Sequence, residues 1–259
     1  MANPPSIPSP CNSFIATTQV FVEACIPTRI SATSCGNPRR FPPGAVKMAT
    51  TNPESAPSAV DVQLNAAAAA VEAGDSATAL QIYHDLAELN NATAQFNIGV
   101  MCEGLEPDLA DAVRWYRLAA DNGSAMAQYN LGLMYDQGRG VEQDNKQALE
   151  LFSRAAGLGH AAAQTNLGVM YDSGQGVPQD VEKAAEMFQR AAAQGNAVAQ
   201  CNLASMYFHG IGVEQNFEQA LTLYAMSADQ GNATAQAKVD EIFEVLEAAA
   251  RDGADGAAT

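Results

Sequence analysis

Between residues 92 and 231 the apolar positions recur at spacings of three and four, and then the whole pattern recurs. Ala127, Leu131, Met134 and Tyr135 make one stripe; Ala148, Leu151, Phe152, Ala155 and Ala156 make the next. Each stripe predicts an amphipathic helix. The first helix is written as "AMAQYNLGLMY" (125–135), "AAAQTNLGVMY" (161–171) and "AVAQCNLASMY" (197–207). The second is written as "QALELFSRAAGLG" (147–159), "KAAEMFQRAAAQG" (183–195) and "QALTLYAMSADQG" (219–231). A shorter pair, "ATAQFNIGVMC" (92–102) and "DAVRWYRLAADNG" (111–123), precedes them. Self-similarity at one fixed step marks a repeat architecture in which each unit is one helix pair.

The punctuation agrees with this division. Gly123, Gly159, Gly195 and Gly231 fall just past each second helix, where a left-handed residue ends a helix without a Cβ penalty. Ser124, His160, Asn196 and Asn232 follow as caps of the next first helix, His being the poor one. Asp108, Asp144, Asp180 and Asn216 are placed to cap the second helices. Between the two helices of a unit stands "GRGVEQD", "GQGVPQD" or "GIGVEQN". A phosphate-binding loop needs a preceding strand and a Lys-Ser/Thr after its last glycine, and a calcium loop needs alternating Asp/Asn ligands closed by Glu. Neither order is present, so these stretches predict structural corners, with Val141, Val177 and Val213 tucked inward. Gly99, Gly132, Gly168 and Ala204 share one position of the first helix. They predict a notch filled from the second helix by Phe152, Phe188 or Tyr224.

Charge changes the picture for function. After residue 60 the chain carries nine basic against twenty-seven acidic residues, within a formal net charge of −16 for the whole. Such a surface repels phosphate backbones and excludes nucleic acid as a partner, while attracting a basic one. The five cysteines (Cys11, Cys25, Cys35, Cys102, Cys201) are odd in number and irregularly spaced, which fits neither a disulfide framework nor a metal pair and suits a reducing compartment. The histidines His84, His160 and His209 are scattered, so no metal site or cofactor is expected. No run is long enough to span a bilayer. Ten of the twelve prolines precede residue 60. That composition predicts disorder for residues 1–58. Residues 1–47 hold one acidic residue beside four basic ones. Three readings stay open for them: an organelle transit peptide, a flexible tail, or an extended reading frame whose initiator is Met48. The compartment is accordingly the cytoplasm, or a chloroplast or mitochondrion if the segment is a transit peptide.

The units resemble Sel-one-like repeats (SLRs), relatives of the tetratricopeptide repeat. The pattern A-x-A-Q-x-N-L-G-x-M-Y-x-x-G-x-G-V is met almost fully at 125–159 and 161–195, well at 197–231, and with a shortened loop at 92–123. "VQLNAAAAAVEAGD" (62–75) and "ALQIYHDLAEL" (79–89) are similar to a degenerate starting unit, and "ATAQAKVDEIFEVLEAAARDG" to a terminal helix. The resemblance implies an all-α fold, a right-handed superhelical α-solenoid of antiparallel helix hairpins. Its divisions are a tail over 1–58, a degenerate unit over 59–89, repeats over 91–122, 124–158, 160–194 and 196–230, a capping helix over 232–251, and a tail over 252–259.

The resemblance also implies a non-catalytic scaffold or adaptor that binds other proteins or peptides in its concave groove. Counting around the first helices places one stripe a quarter-turn from the core. It holds Phe96, Val100 and Glu103; Met126, Tyr129, Leu133 and Asp136; Thr165, Val169 and Asp172; and Val198, Cys201, Ser205 and Phe208. Glu103, Asp136 and Asp172 occupy equivalent positions, and as a carboxylate ladder they would recognise a basic segment, with Tyr129 and Phe208 as apolar anchors. Asn97, Asn130, Asn166 and Asn202 flank the core and read as structural amides. Two alternatives carry less support from the residues. A luminal adaptor of protein degradation would need a secretory signal, which the start does not resemble. A β-lactam-binding, hydrolase-like relative would carry paired cysteines in every repeat, and these repeats hold only Cys102 and Cys201.

Overall fold

The computed structural model describes residues 58–105 and 109–256. Among the described residues there are eleven helices and no strand. They are α1 (Ala59–Glu72), α2 (Ser76–Glu88), α3 (Ala92–Leu105), α4 (Ala110–Asp121), α5 (Ala125–Gln137) and α6 (Asn145–Gly157). Then come α7 (Ala161–Ser173), α8 (Val181–Ala193), α9 (Ala197–His209), α10 (Phe217–Asp229) and α11 (Ala233–Gly256). The chain divides between His160 and Ala161 into two compact units. In the first, α1/α2, α3/α4 and α5/α6 pair as hairpins, and each hairpin packs on the one before. In the second, α7/α8 and α9/α10 do the same, and α11 packs on α10. This is the helix-pair stacking of an α-solenoid. The expectations for residues 1–57, for the Asp108 cap and for residues 257–259 lie outside the described residues. The last helix does not stop at residue 251 but runs on to Gly256, in keeping with the high helix propensity of its alanine-rich end.

Side-chain caps start the helices where the sequence places them. Ser124 Oγ accepts from the Ala127 amide at 3.2 Å, Asn196 Oδ1 from Ala199 at 2.9 Å, and Asp180 Oδ1 from Lys183 at 3.0 Å. Each satisfies an amide that the first helical turn leaves without a partner. In the corner after α5, Gly138 and Gly140 stand at φ 66° and 69°; the pair after α9, Gly210 and Gly212, stands at 68° and 67°. The loop folds back on the helix it follows. The Arg139 amide donates to the Met134 carbonyl, the Asp144 amide to Tyr135, and Gln143 Nε2 to Asp136. Gln179 and Gln215 repeat the last bond on Asp172 and Phe208. These stretches are corners, as their sequence suggests.

The notch is also present. A Cβ on Gly132 would lie 2.7 Å from the Phe152 ring, one on Gly168 2.7 Å from Phe188, and one on Gly99 2.7 Å from Tyr116. Only hydrogen fits there, so the ring of the second helix lies directly on the backbone of the first. Tyr116, Phe152, Phe188 and Tyr224 are all buried at this one repeated position.

A second device joins consecutive hairpins. Gln95 Nε2 donates to the Ala87 carbonyl at the end of the preceding hairpin, Gln128 to Ala120, and Gln200 to Ala192. The amide oxygen of the same side chain accepts from the residue that closes its own hairpin. Asn122 donates to Gln95 at 2.8 Å, Gln194 to Gln164 at 2.7 Å, and Gln230 to Gln200 at 2.8 Å. Gln128 lacks this bond. Its Oε1 is buried without a partner, because the closing residue of its hairpin is Leu158, 59% exposed. Leu158→Gln is therefore expected to stabilise the chain by about 1 kcal/mol, the usual net worth of one such bond added where an acceptor was stranded. Thermal unfolding followed by circular dichroism checks this against Leu158→Ala; equal midpoints for the two variants would rule the bond out.

Candidate protein-docking face

In the first unit, α3 and α5 carry the predicted row, and its members differ sharply in depth. Phe96 is buried, its ring 5.7 Å from that of Tyr116. Val100, Tyr129, Leu133 and Asp136 are half-buried, and Met126 is 37% exposed. Tyr129 is held from both sides, 5.8 Å from Phe152 and stacked 4.7 Å from His160. Burial holds the His160 ring below its ordinary pKa, favouring the neutral imidazole.

Glu103 is not a free rung of a ladder. Its Oε2 accepts from the Tyr116 hydroxyl at 2.7 Å, and its Oε1 lies 2.9 Å from Arg139 in the next hairpin's corner. Burial, and then the adjacent Glu103 charge, push the Tyr116 hydroxyl far above its usual pKa, so it remains a donor. The expectation for Glu103 is corrected accordingly: its charge is already answered within the chain. What α3 and α5 leave accessible is an apolar strip of Val100, Met126 and Leu133 beside Asp136.

In the second unit four expected contact residues, Thr165, Val169, Cys201 and Ser205, are buried. Val169 belongs to an apolar cluster with Ala184, Phe188 and Leu203, and Cys201 to one with Ala204, Tyr224 and Ala235. The Thr165 hydroxyl donates to the Ala161 carbonyl. These side chains, like Phe96, offer no surface to a partner, which corrects the row as counted from sequence. Asp172, Val198 and Phe208 remain half-buried. Burial raises the Asp172 pKa. A carboxyl whose folded-state pKa is raised favours folding below the ordinary carboxylate range, and that contribution fades as pH rises through the raised value. Burial thus makes Asp172 a more reluctant carboxylate than a fully exposed acid.

The flanking asparagines differ in depth. Asn97 and Asn202 are buried, and Asn130 and Asn166 half-buried. Asn97 faces the Tyr83 hydroxyl, whose pKa burial raises to about 12, and Asn130 faces that of Tyr116. The glutamine row was not singled out in sequence, although its recurrence in A-x-A-Q was the available signal. Each histidine has its own neighbour: His84 meets Trp115 edge-on, His160 stacks on Tyr129, and His209 Nδ1 lies 2.8 Å from the Ser205 carbonyl oxygen. Among the described residues no three His, Cys, Asp or Glu side chains are grouped to hold a metal ion. An open cleft in the second unit, lined by Leu203, Tyr207, Asn216, Glu218 and Thr222, presents one carboxylate. Cys102 and Cys201 are both buried. Among the described residues no helix is long and apolar enough to cross a membrane.

Comparison with known proteins bears on this geometry. Residues 92–124, 125–160, 161–196 and 197–232 each match the Sel1 repeat. The fold is similar to that of c5321, a protective antigen present in uropathogenic Escherichia coli strains, with 35% identity and a TM-score of 0.66. That match covers 73% of this chain and 41% of the other, so the chain spans less than half the length of that protein. It is also similar to a Sel1 repeat protein from Oxalobacter formigenes, with 35% identity and a TM-score of 0.59, over 65% of this chain and 69% of the other. Comparison with curated proteins gives no match. Proteins built from this repeat generally act as protein-interaction scaffolds and are typically non-catalytic. With four matched repeats filling more than half of its length, the chain belongs to the Sel1 repeat family.

Proposed function

We propose that this protein is a non-catalytic scaffold that holds a protein or peptide partner, basic in character, against the accessible strip of α3 and α5. The observation that carries the reading is that strip itself: Val100, Met126 and Leu133 are incompletely buried beside Asp136 on helices fixed by the notch and the glutamine bonds. Apolar contacts supply affinity in such a face, and the net charge of −16 supplies sign selectivity and a faster encounter. A scaffold needs a rigid frame with a variable surface, and these repeats separate the two by position.

The test is quantitative affinity purification with the full chain and with a Leu133→Lys/Asp136→Lys variant of unchanged helix content. The expected result is loss of a defined partner set enriched in Lys and Arg. An unchanged partner list would defeat the proposal.

A further inference from the structure

The corners after α5 and after α9 have a second task, to roof the start of a second helix that precedes them. In the first unit Gly140 lies on Leu109, so close that an added Cβ would sit 2.6 Å from the Leu109 Cβ. In the second unit Gly212 lies on Val181, where an added Cβ would sit 2.4 Å from the carbonyl oxygen. Leu109 and Val181 are half-buried as a result. The equivalent residue of α10 is Phe217, and among the described residues no corner roofs it. The helix that follows, α11, runs unbroken to Gly256 past the point where a Gly-x-Gly would turn. Phe217 is left 57% exposed, its ring 5.3 Å from that of Phe208 and nearly perpendicular to it. Phe208 in turn occupies the position that holds Glu103, Asp136 and Asp172 in the other repeats.

We infer that the Phe208–Phe217 step is an end-on docking site for a partner segment that places an apolar side chain on the two rings and basic residues around them. The step continues the surface that joins one hairpin to the next, so it is shaped to receive protein. Its surroundings specify the sign of the occupant. Glu214 and Glu218 flank Phe217 and are exposed, and no lysine or arginine occurs between Arg190 and Lys238. A second copy of so acidic a chain would meet like charge there, whereas a basic apolar segment meets the carboxylates of Glu214 and Glu218. This inference rests on the scaffold reading but uses a different surface.

The test is fluorescence anisotropy with the full chain and a labelled synthetic probe, an amphipathic helix of leucine and lysine. A serine/lysine peptide of equal charge serves as control. The leucine/lysine probe is expected to bind, with Phe217→Ser weakening it about tenfold or more, the scale of a lost aromatic anchor. Glu214→Lys/Glu218→Lys should weaken it independently, while circular dichroism stays unchanged. The Leu133→Lys/Asp136→Lys variant should bind as the parent does. Equal binding by Phe217→Ser, or by the serine/lysine peptide, would overturn the inference, as would failure of the leucine/lysine probe to bind at all. Loss only in Leu133→Lys/Asp136→Lys would overturn it while leaving the scaffold reading intact. Sedimentation would reveal a dimer abolished by Phe217→Ser, and that result would assign the step to a second copy instead.

Discussion

Gly212→Ala is expected to destabilise the chain by about 2–4 kcal/mol, more than its single added methyl group suggests. Two costs coincide at this residue. Its φ of 67° is a left-handed conformation that costs an ordinary residue about 1–2 kcal/mol. The methyl group would also stand 2.4 Å from the carbonyl oxygen of Val181, a backbone atom that cannot rotate away. Relief requires the α9/α10 hairpin to lift from α8. Gly123→Ala separates the two costs, since Gly123 has φ 87° and nothing within 4 Å of an added Cβ. It should cost only the conformational part, about 1 kcal/mol. Urea unfolding of both variants decides the matter, and equal midpoints would mean that the corner is not seated on the preceding hairpin.

Gly168→Leu should cost about 3 kcal/mol through overpacking alone. The glycine is helical, so no dihedral penalty enters beyond the small gain in helix propensity. Its added Cβ would already lie 2.7 Å from Phe188, and leucine carries three further carbons into the same ring. Phe188 is buried in a cluster with Ala184, Ala191 and Leu203, and a densely packed interior leaves little room for a displaced ring. Phe188→Ala by itself leaves a cavity worth about 3–5 kcal/mol. The double variant Gly168→Leu/Phe188→Ala should therefore be more stable than the sum of the two losses predicts, by more than about 1 kcal/mol. Strict additivity in a denaturation cycle would show that the two residues do not share the notch.

Most of the frame was legible because it rests on local rules. Spacings of three and four mark the helices, Ser124, Asp180 and Asn196 bond the amides that cap residues are expected to bond, and the glycines stand where positive φ or a missing Cβ is needed. The contact row was less legible. Counting around a helix gives an angle but not a depth, so Phe96, Thr165, Val169, Cys201 and Ser205 fall in the counted row yet lie buried. Glu103 shows a different limit. Its partners Tyr116 and Arg139 come from the next helix and from the following corner, and no periodicity pairs them. The glutamines were visible as a recurrence, but a polar residue that repeats beside an apolar stripe does not reveal which distant carbonyl it meets. Phe217 was hidden for a related reason. Its exposure follows from what the next segment fails to do, since α11 never turns.

The glutamine bonds have a consequence for how such a molecule can change. Gln95, Gln128, Gln164 and Gln200 are the same in all four repeats, and the notch and corner glycines each recur in three of them, while the neighbouring sites read Phe96, Tyr129, Thr165 and Cys201, or Val100, Leu133, Val169 and Ser205. Coupling between hairpins thus resides in one set of positions and chemical individuality in another. A duplicated hairpin arrives with its fastenings in place and its remaining positions free to drift. The array can lengthen or acquire a new specificity one module at a time, without renegotiating the stability of the modules already there.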